Sequence, residues 1–219
     1  MTYADREVHG PIIAALIILL TPLTGNSLTP ESGAAWPPKT AEEVFTHFGN
    51  NTRDTLQKKG VVLLDQGRED GMTEGLILFD QPMDRIWHLL SQGERQTEYR
   101  PELKNVHVIE KSPGYSLDEH ELRIMFISLV YRLRFDFDRG QSRIAWSLDP
   151  DFENDVDHIS GNWYLFPIED GRTLGLFGTR VRVGPALPGW LQNSVSRKKI
   201  PETLKRCRIW AESNKETGH

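Results

Sequence analysis

The sequence predicts an α+β fold, and three observations carry that expectation. Residues 131–138 alternate Tyr131, Leu133, Phe135 and Phe137 with Arg132, Arg134, Asp136 and Asp138, the period of a strand with one buried face. Ile200, Leu204, Cys207 and Ala211 recur at the spacing of one face of a long helix near the end of the chain. A strand and a short helix precede them and a run of strands joined by short turns lies between, an order that segregates helices from an antiparallel sheet.

Composition narrows the class of molecule. The 219 residues give room for one ample domain or two small ones. With 38% hydrophobic and 26% charged residues, a polytopic membrane protein is excluded. The net charge of −5 argues against nucleic acid as a partner. Cys207 is the sole cysteine, which excludes an internal disulfide and a cysteine-rich zinc site; its apolar helical setting reads as a packed, inert thiol.

Residues 1–39 read as a signal-like segment and linker. The uncharged run 11–23 has the length of a signal-peptide core and is too short to span a bilayer. Small residues at Gly25-Asn26-Ser27 and Gly33-Ala34-Ala35 offer cleavage sites, and Trp36-Pro37-Pro38 a stiff linker. Asp5 and Glu7 outweigh Arg6, which does not suit a leader; export or membrane association is the expectation, with a cytoplasmic protein as the alternative.

Residues 40–60 form an accessory helix. Thr40-Ala41-Glu42-Glu43 is a capping box, Val44, Phe45, Phe48, Thr52 and Leu56 share one side, and Lys58-Lys59-Gly60 is a stop signal, with a break expected at Gly49. Residues 61–65 and 72–79 are β-like around the turn 67–71. Pro82 begins a short helix carrying Ile86, Leu89 and Leu90, closed by Gly93. Strands follow at 106–110, at 122–138 as one long central strand, and at 143–148, 158–168 and 173–183, the last four as an antiparallel set. Leu187, Leu191 and Val195 open the terminal helix, which Pro201 restarts or kinks. Because this order closes without them, residues 1–60 are expected to be dispensable for the fold of the rest.

From about Gly75 to Ser213 the pattern resembles the START-like, helix-grip (SRPBCC) superfamily, which includes polyketide cyclases and coenzyme-Q-binding proteins. The residues that carry the resemblance are the short helix Pro82-Met83-Asp84-Arg85-Ile86-Trp87-His88-Leu89-Leu90, the Tyr99-Arg100-Pro101 turn into Val106-His107-Val108-Ile109-Glu110, Gly161-Asn162-Trp163-Tyr164-Leu165 before Gly171-Arg172-Thr173, and Pro185-Ala186-Leu187-Pro188-Gly189-Trp190-Leu191. The resemblance implies a curved antiparallel sheet gripping the long C-terminal helix around an elongated apolar cavity. It makes residues 61–215 a START-like ligand-binding domain followed by a tail at 216–219; residues 1–60 lie outside the resemblance, with 40–60 as an extra N-terminal helix.

The residues independently place Tyr131, Leu133, Phe135, Trp146, Trp163 and Phe177 on the sheet opposite Trp190, Leu191, Val195 and Leu204 on the helix. These ten are the candidate ligand-binding residues; a filled core is the competing reading. The expected function is binding or transport of a hydrophobic small molecule such as a lipid, quinone, sterol or isoprenoid, with neither cofactor nor metal. A polyketide cyclase or aromatase using the same cavity is the alternative, without candidate catalytic residues.

Other constellations read as structural. Asp149, Asp151, Glu153, Asp155 and Asp157 lack the Gly and Glu that an EF-hand needs, so a solvated acidic loop is the stronger reading. The histidines show no zinc spacing, and His120, in Asp118-Glu119-His120-Glu121, reads as an exposed strand entrance. Arg180 and Arg182 share a face, read as the outer one, paired with Asp136 or Asp138; the competing reading is the cavity face, where they would hold a ligand carboxylate or phosphate. Arg197, Lys198, Lys199, Lys205, Arg206 and Arg208 concentrate positive charge on the last helix, as a solvated face or as a peripheral contact with an anionic membrane surface.

Overall fold

A computed structural model describes residues 37–65, 72–185 and 187–214; the segment 11–23, the turn 67–71 and the tail 216–219 lie outside the described residues. No helix among the described residues is long and apolar enough to cross a membrane. At the N-terminal end, α1 (Ala41–Phe48) starts where Thr40 Oγ1 accepts from the Glu43 amide at 3.2 Å, while the Glu43 carboxylate accepts from the Lys39 amide at 2.7 Å. Gly49, at φ 79°, breaks the helix there, and α2 (Asn50–Lys59) follows.

Eight antiparallel strands build one sheet: β1 (Val61–Asp65), β2 (Met72–Phe79), β3 (Leu103–Lys111), β4 (Tyr115–Ile124), β5 (Ile127–Asp138), β6 (Arg143–Leu148), β7 (His158–Pro167) and β8 (Thr173–Arg182). Their spatial order is β1-β2-β8-β7-β6-β5-β4-β3, curved and unclosed, so β1 and β3 are edges. Both edge strands shift register, β1 between Leu63 and Asp65 and β3 at two places, and β3 is mostly exposed and polar, features that blunt an edge against further pairing. Between β2 and β3 the chain crosses the sheet through α3 (Met83–Leu90) and a 3₁₀ turn (Gly93–Glu98).

Two strand readings change. The expected single strand 122–138 is a hairpin: β4 and β5 meet at Met125-Phe126, with Met125 at φ 57°. An apolar pair without Gly or Asn hides such a bend in a sequence. The other is that 115–121 is strand as well, although its alternation is carried inward by Ser116, Asp118 and His120 rather than by apolar groups.

The two faces of the sheet have separate cores. On the outer face Val44, Phe45 and Leu56 of α1 and α2 cover Leu76, Leu78, Leu174 and Leu176. On the concave face Ile77, Phe79, Tyr131, Leu133, Trp163 and Phe177 pack with α3 and the C-terminal helix. That helix is α4 (Gly189–Ser194), a π turn (Val195–Lys199) and α5 (Ile200–Ser213) in series. Pro201 has no amide hydrogen to continue an α ladder, and the turn before it widens so that the Ile200 amide donates to the Val195 carbonyl. Arg208 pins α5 to the sheet through the Leu78 carbonyl (2.7 Å) and Asp80 (3.1 Å).

Candidate functional site

Between the concave face of β4–β8 and the π turn and α5 lies a cavity of about 150 Å³. Period-two alternation supplies one wall, because inward residues of successive strands fall side by side: Leu122 and Ile124, then Leu129, Tyr131, Leu133 and Phe135, then Ile144 and Trp146. Trp163 of β7 and Phe177, Val181 and Val183 of β8 extend it. Its rings form a chain, with centroid separations of 6.2 Å for Phe135–Trp146, 5.8 Å for Trp146–Phe177 and 4.7 Å for Trp163–Phe177. Trp146 lies over Gly161, where a Cβ would meet both its ring and the Gly178 carbonyl oxygen at 2.5 Å, so the indole needs glycine beneath it.

Of the residues singled out from sequence, Tyr131, Leu133, Phe135, Trp146, Trp163, Phe177, Val195 and Leu204 line this cavity. Leu191 is fully buried in the same concave core without lining it, and Trp190 is 41% exposed. Trp190 points away because α4 starts at Gly189, which puts it in the first turn, beside Phe126 of the β4–β5 hairpin at 6.5 Å. Met125, Phe126 and Trp190 thus make an exposed apolar patch at the cavity end lined by Ile124, Val183 and Val195.

The sequence reading missed the polar end of the cavity, lined by Gln96, Tyr99, Arg100, Glu102, Lys199 and Thr203. The only signal for it was the Tyr99-Arg100-Pro101 turn. Arg100 Nη1 donates to Gln96 Oε1 at 2.6 Å, and Lys199 Nζ to Glu102 Oε1 at 2.7 Å. Burial pushes the Glu102 carboxyl up, but the Lys199 hydrogen bond and the charges of Lys199 and Arg206 outweigh it, leaving the group below its ordinary value. The Tyr99 hydroxyl and the buried Cys207 thiol share a hydrogen bond; burial raises both, Cys207 to about 12.

His120 is not exposed. It is completely buried, stacked on Tyr131 at 5.3 Å and on Phe135 at 6.2 Å, because β4 turns its even-numbered residues inward. Burial, and secondarily the charge of Arg100, lowers its imidazole to about 3, so it is neutral at ordinary pH. Its neighbour in the inward row, Asp118, accepts from the Ser116 hydroxyl, and burial raises its carboxyl.

The remaining constellations are structural. Arg180 and Arg182 lie on the outer face, but β7 and β6 separate them from β5, so Asp136 and Asp138 are not their partners; Asp136 pairs with Arg134 at 3.1 Å instead. The acidic loop completes the edge of β5 beyond β6: Asp155 Oδ2 accepts from the Val130 amide at 2.6 Å and Asn154 Oδ1 from the Arg132 amide at 2.8 Å. Among the basic residues, Lys199 and Arg208 are engaged internally, Lys198, Lys205 and Arg206 face solvent, and the side chain of Arg197 lies outside the description.

The chain matches no protein-family model and no curated protein by sequence. Solved structures are similar in shape. The Zhui aromatase/cyclase from Streptomyces sp. R1128 superposes with TM-score 0.57 at 18% identity, covering 67% of this chain and 97% of its own. A STAR-related lipid transfer protein from Xanthomonas axonopodis gives 0.55 at 14% identity, covering 69% and 98%. A START superfamily protein from Mycobacterium smegmatis gives 0.55 at 15%, covering 66% and 99%. With its curved, unclosed antiparallel sheet closed on one side by a C-terminal helix, the chain has the START-like helix-grip fold.

Proposed function

We propose that the protein binds and carries an apolar small molecule in the concave cavity. The observation that supports this most directly is the cavity itself, an unfilled space among Leu133, Phe135, Trp146, Trp163 and Phe177 where a solid core was the competing reading. Apolar surface transferred there from water stabilises the complex by about 25 cal/mol per Å². The experiment is organic extraction of the full chain purified from its native host, followed by mass spectrometry, which is expected to recover a near-stoichiometric apolar species. Val181→Trp, projecting into the same space, is expected to reduce that recovery while far-ultraviolet circular dichroism stays unchanged. Wild-type protein that yields nothing and takes up no apolar probe refutes the reading.

The aromatase/cyclase among the structural neighbours supplies the second reading, a reaction in the same cavity. Proton transfer works best from groups that titrate near the operating pH. Of the buried titratable groups that line the cavity, Cys207 sits at about 12 and Tyr99 is raised further, which supports carriage over catalysis.

Delivery of an apolar cargo calls for a surface to deliver to, and the patch of Met125, Phe126 and Trp190 fits an anionic bilayer, with Lys198, Lys205 and Arg206 as the exposed cations of the same helix. Replacing both rings, Phe126→Ser with Trp190→Ala, is expected to weaken sedimentation with phosphatidylglycerol-containing vesicles by about tenfold or more. The thermal midpoint should change little through Phe126, which is 76% exposed, and moderately through Trp190, which is 41% exposed. Undiminished sedimentation of the double variant contradicts this docking surface.

A further inference from the structure

The charges at the polar end of the cavity do not cancel. Lys199 is compensated by Glu102 at 2.7 Å and Glu202 at 3.9 Å. Arg100 is not: its partner is the neutral amide of Gln96, and among the described residues no carboxylate pairs with it. Yet Arg100 is half-buried and lines the cavity, and its positive charge acts on the buried Cys207 and His120, which places it against the interior rather than in open solvent. A half-buried cation beside an apolar space is costly unless an anion meets it.

We propose that Arg100 receives the carboxylate of the bound molecule, so that the ligand is a small apolar acid. Its carboxylate accepts from the planar guanidinium fork, which presents two parallel donors to such a group. Gln96 Oε1 accepts from Nη1 at 2.6 Å, and Thr203, which carries a hydroxyl, lines the same cavity. The apolar body then lies along Tyr131, Trp146 and Phe177. The size of the space sets the class of acid: a dry cavity of about 150 Å³ accepts one benzene-sized ring, and not the two acyl chains of a phospholipid. An aryl or short-chain carboxylic acid satisfies both the charge and the volume.

The inference rests on the cavity being the ligand site, and one calorimetric titration of the full chain separates the two claims. The probes are benzoate and benzamide, which share one benzene ring and differ in the charge of the head. At pH 7 benzoate is expected to bind about tenfold or more tightly than the amide, the range of a charge-assisted hydrogen bond over a neutral one. Arg100→Gln should abolish that preference while retaining amide binding, and Arg100→Lys, which keeps the charge and loses the fork, should preserve part of it. Equal binding of acid and amide by the wild type overturns the carboxylate assignment and leaves the cavity reading standing, as does a preference that survives in Arg100→Gln. Binding of neither probe overturns both. The wild-type comparison decides the question even if the glutamine variant does not fold.

Discussion

A chain that starts at Gly60 is expected to be insoluble or to lack a cooperative melt. Leu76, Leu78, Leu174 and Leu176 on the outer face are at most 1% exposed, and among the described residues α1 and α2 are what covers them. Leaving each in water forfeits about 1.5–3 kcal/mol, and together they reach the ~5–15 kcal/mol by which a whole domain is stable. This runs against the expectation that residues 1–60 are dispensable. Urea titration of the truncated chain beside the full one measures it: a truncated chain that unfolds cooperatively with near-native stability shows that the outer face does not need the helices.

Acidification below pH 6.5 is expected to destabilise the protein through His120. Its folded-state value of about 3 lies below the ordinary 6.5, so between the two the unfolded chain takes up a proton that the folded chain refuses. The stability is fully present above 6.5 and is lost as the pH falls, by about 1.4 kcal/mol per pH unit and about 2 kcal/mol at pH 5. Half-buried His158, also lowered by burial, acts in the same direction, whereas Asp118, raised by burial, acts in the opposite one. His120→Phe retains a ring between Tyr131 and Phe135 and removes the proton site. Its melting temperature should therefore fall much less between pH 7 and pH 5 than that of the wild type. Equal falls in the two proteins would assign the acid sensitivity elsewhere.

His120 also marks where the sequence stopped being legible. Alternation identifies a strand only if the inward residues are apolar, as in β5, where Tyr131, Leu133 and Phe135 announce the concave wall. In β4 the inward places hold Ser116, Asp118 and His120, so the same period reads as a polar loop. The cavity wall was readable for a related reason: register on a pleated sheet follows parity, and the aromatic residues kept parity. The polar end was not, because Gln96, Arg100, Glu102 and Lys199 come from a 3₁₀ turn, a strand approach and a π turn that no common period links. By its aromatic surface Trp190 reads as wall with Leu191, Val195 and Leu204, whereas it stands in the first turn of α4 with its ring beside Phe126.

The path of the chain through the sheet bears on its biosynthesis. β3 to β8 form a continuous meander in which every strand pairs with the next, so each can be paired soon after it leaves the ribosome. β2 has no such neighbour on its other side. Leu76 pairs with Leu176, one hundred residues later, so the free hydrogen-bonding edge of β2 and its concave-face residues Ile77 and Phe79 remain unsatisfied until β8 and the C-terminal helix have emerged, whereas α1 and α2 precede β2 and can already cover Leu76 and Leu78. During vectorial synthesis the antiparallel pair β1–β2 therefore waits with one open edge, the condition in which a nascent chain is most prone to aggregate.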